Sequence, residues 1–297
     1  MSELYSYTQL VSEVGSHAER LAFIDFKLRF TGFIRRADLK EEFGLAEAAA
    51  TRMISLYREY REENLVHDRS NKLNVINLEK YTPLIPIGAE QALGMLAHGF
   101  NKNKIAGRPI LQYRKIGVVK NQLDVDEVAR ITRAISNEKA IECCYISGSS
   151  DKHLPRDLAP LAILYDGKNW IFRAFDRSET KKYKFKNFNF ARATKVKPIE
   201  QDDGNTFQYE RLSEDTHWNT PLPLFLELHN ELNDEQRASI RRDFGMLPDE
   251  DELYLTESAA LVWILTKLWN IDVGNPEESD LFFKFSLKNR EMIKPYL

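Results

Sequence analysis

Two cysteines in 297 residues, adjacent at Cys143 and Cys144, leave no disulfide framework to hold a fold together. Neighbours on a strand point to opposite faces, which disfavours both a mutual disulfide and a shared metal site. Buried thiols are the expectation for both. Six scattered histidines lie at no ligand spacing with one another or with the cysteines, so neither a metal nor a cofactor is expected. The phosphate-cradling Gly-x-x-x-x-Gly-Lys loop and the Gly-x-Ser-x-Gly nucleophile elbow are both missing. Ser147, Ser149, His153 and Asp157 bring hydrolase residue types together, but the sequence does not put them in triad order, and no enzyme is expected. Apolar runs stop short of membrane-spanning length, and Met1 to Gly15 lacks a signal-peptide pattern. The expected location is cytoplasmic, with no membrane partner.

What is present is an ordinary soluble composition, 43% hydrophobic and 29% charged, at a length that allows two or three domains. The net charge of −3 conceals an uneven distribution. Residues 81–139 carry 9 basic and 5 acidic side chains, residues 140–200 carry 12 and 7, and residues 201–297 carry 9 and 20. The acidic end is excluded as a phosphate-facing surface, whereas the basic middle attracts anions.

Along the chain, Leu21, Phe23, Ile24, Phe26, Leu28 and Phe30 mark a buried helix from His17 to Phe30. A second helix, Arg35 to Phe43, stops at Gly44, and Gly44-Leu45-Ala46 is the turn before a third, Glu47 to Tyr60. On this third helix Met53, Ile54, Leu56 and Tyr57 face the preceding helices, and Ala49, Ala50, Thr51, Arg52, Ser55 and Arg58 face outward. Asn64 to Val75 alternates about a polar turn, as a two-stranded wing does. Three helices and a wing make residues 1–80 a winged helix-turn-helix, whose second motif helix enters a major groove by its N-terminal residues. Small residues such as Ala49 and Ser55 allow close approach, Thr51 and Arg52 reach base edges, and Arg35, Arg36, Arg69, Ser70 and Lys72 meet phosphates.

Residues 81–138 read as a helical connector. Two prolines break Tyr81 to Pro86, a helix covers Gly88 to Phe100, a basic loop covers Asn101 to Arg114, and Asp124 to Ser136 forms an amphipathic helix. Residues 139–200 hold short β-branched and aromatic runs bounded by Ser-Gly and Asp-Gly turns, a pattern for antiparallel strands closing a small barrel. Tyr145, Ser147, Ser149, His153, Arg156, Arg173, Lys186 and Arg192 supply hydroxyls, a stacking ring and positive charge, which suit a phosphate-bearing ligand. Asp157 and Asp176 are alternative structural partners for Arg156 and Arg173. Residues 201–297 follow the order β, α, β, α, β, with Leu222, Leu224, Leu226 and Leu228 on one face of a strand, and form a compact α+β module.

The order Tyr-x-Ser at Tyr145, Arg156 before Pro160-Leu161, the Trp170 strand with Arg173 and Asp176, then Phe185-x-x-Phe188 ahead of Arg192 resembles the WYL domain of bacterial transcriptional regulators. With Gly44-Leu45, Tyr57, Asn64-Leu65 and Asp68-Arg69-Ser70 in the N-terminal region, the chain resembles the winged-helix WYL repressors of phage-defence islands, the BrxR/CapW type associated with BREX and CBASS systems. That resemblance implies a multidomain α+β protein with a winged helix-turn-helix, a small Sm/SH3-like barrel and a C-terminal dimerisation module. It implies a homodimer on a pseudo-palindromic double-stranded DNA operator, repressing a defence operon. The effector it implies at the barrel is a nucleotide, a cyclic oligonucleotide or single-stranded nucleic acid. The rival readings are an RNA- or single-strand-binding accessory protein that uses its winged helix as a protein dock, and a nucleotide hydrolase dependent on Ser147.

Overall fold

The computed structural model describes residues 4–71, 73–107, 111–117, 119, 122–147, 155–180, 182–200, 204–275 and 282–297. Backbone contacts divide it into two units, residues 1–164 with 170–206, and residues 165–169 with 207–297.

The first unit is built around α2 (Ala18–Thr31), in which Leu21, Phe23, Ile24, Phe26, Leu28 and Phe30 are all buried. A helix whose apolar residues point to several sides has to be covered on several sides. Here α1 (Tyr7–Val14), α4 (Glu47–Tyr60) and α7 (Val125–Ser136) cover it. α3 (Arg36–Phe43) packs on α4, and Gly44, at φ 66°, takes the left-handed conformation that turns the chain between them. β1 (Phe33–Ile34), β2 (Leu65–Asp68) and β3 (Leu73–Ile76) form an antiparallel sheet in the order β1-β3-β2, whose β2–β3 ribbon is the wing.

The residues expected to act as a connector belong to the same core. α5 (Ala89–His98) packs against α7, and Leu84, Ile85, Leu93 and Ile131 are fully buried with the side chains of α2. A short α6 (Lys102–Ala106) occupies part of the expected basic loop. α7 begins where foreseen, because the Asp124 side chain accepts from the amides of Asp126 and Glu127.

β4 (Ile141–Tyr145), β5 (Pro155–Tyr165), β6 (Trp170–Asp176), β7 (Phe185–Asn189) and β8 (Ala193–Pro198) form one antiparallel sheet in the order β7-β6-β5-β4-β8. The sheet curls enough for the Tyr145 hydroxyl on β4 to accept from the Asn189 amide of β7 at 3.0 Å. Among the described residues no ladder joins β7 to β8, so the expected barrel is an open, curled sheet. Every residue of β6 is buried, as befits a strand covered on both faces. Cys143 faces the core, where burial pushes its thiol up to about 12, and Cys144, on the opposite face, is only half-buried.

The second unit follows the expected alternation. β9 (Pro221–Leu228), α8 (Asp234–Asp243), β10 (Glu252–Ser258), α9 (Val262–Leu268), β11 (Ile271–Asp272) and β12 (Phe285–Leu287) make a four-stranded sheet ordered β10-β9-β12-β11. Leu222, Leu224, Leu226 and Leu228 all point into its core. Among the described residues no helix is long and apolar enough to cross a membrane.

Candidate nucleic-acid interface and sheet-face cluster

Ile54 and Tyr57 bury one side of α4, which leaves Glu47, Ala48, Thr51, Arg52 and Ser55 exposed along the other. Ala49 is half-buried. Ala50, expected outward, is fully buried because a 3.6-residue period places it on the Ile54 and Tyr57 side. Ala48 takes the exposed place, and the same period would have found it. The Thr51 hydroxyl donates to the Glu47 carbonyl at 2.9 Å, so toward a ligand it offers lone pairs and a methyl group.

Arg35 and Arg36 stand exposed at the start of α3. The Arg35 guanidinium lies over the Phe33 ring at 4.7 Å, and its amide donates to Asp38 at 2.7 Å, which caps the helix. Arg36 reaches the Glu47 carboxylate at 2.7 Å and so ties the starts of α3 and α4 together. Between α4 and the wing runs a cleft of about 370 Å³ lined by Arg36, Thr51, Ser55, Arg58, His67 and Asn74. Arg58 donates to the Asn74 side chain at 3.2 Å across it. The sequence carries no signal for His67 and Asn74, since no local pattern shows a wing residue turned back toward the helix.

At the wing tip Asp68 accepts from the Ser70 hydroxyl, the Ser70 amide and the Asn71 side chain. The Ser70 hydroxyl bond, first among these, holds the carboxyl down at about 2. Ser70 therefore shapes the turn with the hydrogen that was expected to meet a phosphate. Arg69 beside it is exposed, and Lys72 lies outside the described residues.

The expected ligand residues separate between the two faces of the curled sheet. Arg156 on β5 donates to the buried Asp176 of β6 at 2.7 Å and sits 5.9 Å from the Tyr145 ring. Lys186 on β7 pairs with Glu179 and approaches Asp176 at 3.7 Å. Tyr145, Arg156, Asp176 and Lys186 thus gather on the face that carries Phe172 and Phe188. Three residues from Asp176 along an alternating strand, Arg173 points the other way. It is 3% exposed and donates to Asn187 at 3.1 Å and to Tyr183 at 2.6 Å. Arg173 therefore lies on the face opposite Arg156 and Lys186. The Tyr145 hydroxyl, already engaged by Asn189, braces the curl. Arg192 is exposed and Ser147 half-buried, while Ser149 and His153 lie outside the described residues. Asp176 belongs to the cluster as a central acceptor and Glu179 as a second acid.

α7 is tied to the curled sheet on one side and to α2 on the other. Glu127 accepts from the amides of Lys195 and Val196 on β8, at 2.9 and 3.0 Å. On the α2 side Asp126 pairs with Arg29 at 2.9 Å, and Arg133 donates to the Arg29 carbonyl at 2.7 Å. Asn137 donates to the Thr31 carbonyl at 2.8 Å, close against Gly32, where a Cβ would come within 3.1 Å of the Asn137 amide.

Three family models match in order along the chain. Residues 16–96 match the BrxR transcriptional regulator winged helix-turn-helix domain, residues 126–198 the WYL domain, and residues 222–293 the BrxR transcriptional regulator C-terminal dimerization domain. A DNA-binding transcriptional repressor CapW of Pseudomonas aeruginosa is 29% identical over 93% of this chain and 90% of its own length. A repressor of the same name from Escherichia coli is 27% identical over 92% and 89%. Helix-turn-helix, wing, curled sheet and C-terminal module occur in the same succession as these matched segments, and the chain belongs with the WYL-domain transcriptional regulators of the BrxR/CapW type.

Proposed function

We propose that the protein is a homodimeric transcriptional repressor of a phage-defence operon. Its winged helices bind a pseudo-palindromic operator, and a nucleotide or nucleic-acid ligand on the WYL sheet controls that binding. The observation that carries this reading is the exposed stripe Ala48, Thr51, Arg52 and Ser55 on α4, flanked by Arg35 and Arg36 and by Arg69 on the wing. Small side chains let the helix approach base edges, Arg52 is the residue type that reads guanine, and the flanking arginines supply the phosphate charge. This arrangement favours DNA over a docked protein, because the stripe is polar and small where a protein interface would be aromatic.

The Arg156, Lys186 and Tyr145 face is the seat of control, with Arg192 and Ser147 at its margin. An anion arriving there competes with Asp176 and Glu179 for the two cations. α7, held to β8 by Glu127 and to α2 by Asp126 and Arg133, carries the change to the helix-turn-helix. The ligand shifts repression only by binding one arrangement better than the other.

The test is a mobility-shift and footprinting experiment on the DNA upstream of the protein's own operon, with and without linear and cyclic oligonucleotides. Two protected half-sites about 34–36 Å apart, or a multiple of that, are expected. A single unpaired half-site would sink the dimeric reading. Tight binding to single-stranded oligonucleotides with no protected duplex would favour the accessory-protein reading.

A further inference from the structure

The sheet of the C-terminal unit ends on one side in β11, two residues long, and on the other in β10, seven residues long. The Asp251 carbonyl accepts from the Leu228 amide, and the Ala259 amide donates to the Thr220 carbonyl. Hydrogen-bonded and non-bonded pairs alternate along an antiparallel ladder, so the odd-numbered residues of β10 bond to β9. The amides and carbonyls of Glu252, Tyr254 and Thr256 are then directed to the open edge. β9 agrees: its two prolines, Pro221 and Pro223, stand opposite Ser258 and Thr256, where no ladder bond is needed from them.

The side chains along this edge are those of a covered surface. Tyr254 is 61% exposed and Phe225 41%, with their rings in edge contact at 5.4 Å. Natural edge strands are blunted by charged side chains, lysine above all, by a proline, a bulge or a covering segment. β10 contains no lysine or proline and its register with β9 is unbroken; its two charges, Glu252 and Glu257, stand near its ends and leave Leu253 to Thr256 uncharged.

We propose that β10 pairs antiparallel with β10 of a second copy of this chain, about a two-fold axis at Leu255, joining two four-stranded sheets into one of eight. The proposal rests on the homodimer reading and names the surface that makes the dimer. A two-fold pairing is self-complementary and closes, so it ends at two copies. The Leu255 register pairs all seven residues, and it separates like charges in a unit with a large excess of acids. Glu252 faces Ser258 of the partner subunit, Leu253 faces Glu257 of the partner subunit, and Tyr254 faces Thr256 of the partner subunit. Each Tyr254 and Phe225 pair lies beside its symmetry mate on one apolar surface. The matched dimerization-domain segment, residues 222–293, contains both strands.

Sedimentation of the full chain tests this with Thr256→Pro. The substitution removes an amide directed to the open edge, a place where strands accept proline. Wild type is expected at twice 34.6 kDa and the variant at 34.6 kDa at the same concentration. In Leu255→Cys the two Cα atoms at the axis would stand about 4.5 Å apart, within disulfide reach. Mild oxidation should give a covalent dimer above the background that Cys143 and Cys144 produce in wild type. A dimeric Thr256→Pro chain, or a dimeric Leu255→Cys chain that does not cross-link, overturns this surface and leaves the homodimer intact. A wild type that is monomeric throughout overturns the homodimer reading itself. If Thr256→Pro fails to fold, the Leu255→Cys result alone decides.

Discussion

The carboxylate of Asp25, buried in α2, accepts the hydroxyl of Tyr57 from α4 at 2.7 Å. It also accepts the Tyr81 hydroxyl and the amides of Leu84 and Ile85, so one side chain joins α4 to the segment leaving the wing. Asn64 completes the joint by donating to the Tyr57 oxygen and to the Thr82 carbonyl. Asp25→Ala leaves several buried donors unmet, and urea unfolding should show a loss of about 3 kcal/mol or more.

Burial raises the Asp25 carboxyl above its ordinary value of 3.8. The folded protein therefore holds this proton more tightly than the unfolded chain, and the cost of the buried charge is relieved as pH falls through the raised value. The stability difference between wild type and Asp25→Asn should shift toward wild type over that interval. A shift in the opposite direction would show that the hydrogen bonds outweigh the burial.

Asp68 has the reverse sign. Its carboxyl is held at about 2, so the order it brings to the wing is present above 3.8 and disappears as pH falls from there toward 2. Amide protection at Ser70 and Asn71, taken relative to the intrinsic exchange rate at each pH, should fall across that window in wild type, and Asp68→Asn should abolish the pH step.

Arg52→Ala should relax base preference at one operator position by about 1–3 kcal/mol. Arg69→Ala should weaken binding to all duplexes alike and reduce the slope of log affinity against log salt by about 1. Titrations on operator and random duplex at several salt concentrations separate the two. Equal losses on both duplexes for Arg52→Ala would remove it from the bases.

Glu127→Ala strips the amide of Lys195, a residue held at φ 54°, of its acceptor together with that of Val196. A loss of about 1–3 kcal/mol is expected in urea unfolding. If α7 transmits the ligand signal, the variant should still bind operator yet respond less to an effector than wild type does.

Arg173→Ala should behave as a core lesion, lowering the unfolding midpoint, because Asn187 and Tyr183 lose a buried donor. Arg192→Ala, at an exposed position, should leave the midpoint in place. Its predicted effect falls on effector response, measured as the change in operator affinity on adding an oligonucleotide.

By itself the sequence determined the elements whose signals are local. The apolar run of α2, the Gly44 turn, the span of α4, the Asp124 cap and the alternating leucines of β9 each follow from spacing within about a dozen residues. The wing followed too, since its turn chemistry lies between Asp68 and Asn71. Tertiary structure decided what depends on faces and on partners distant in sequence. Only strand alternation in the curled sheet separates Arg173 from Arg156, and only the packing of α7 brings Glu127 to β8. Asp25 left a trace as a charge set among apolar neighbours, Phe23, Ile24 and Phe26, but its partners lie 32 to 60 residues away. Local periodicity says which side of an element is apolar, whereas hydrogen-bond and charge partners are set by chain crossings that no short window contains.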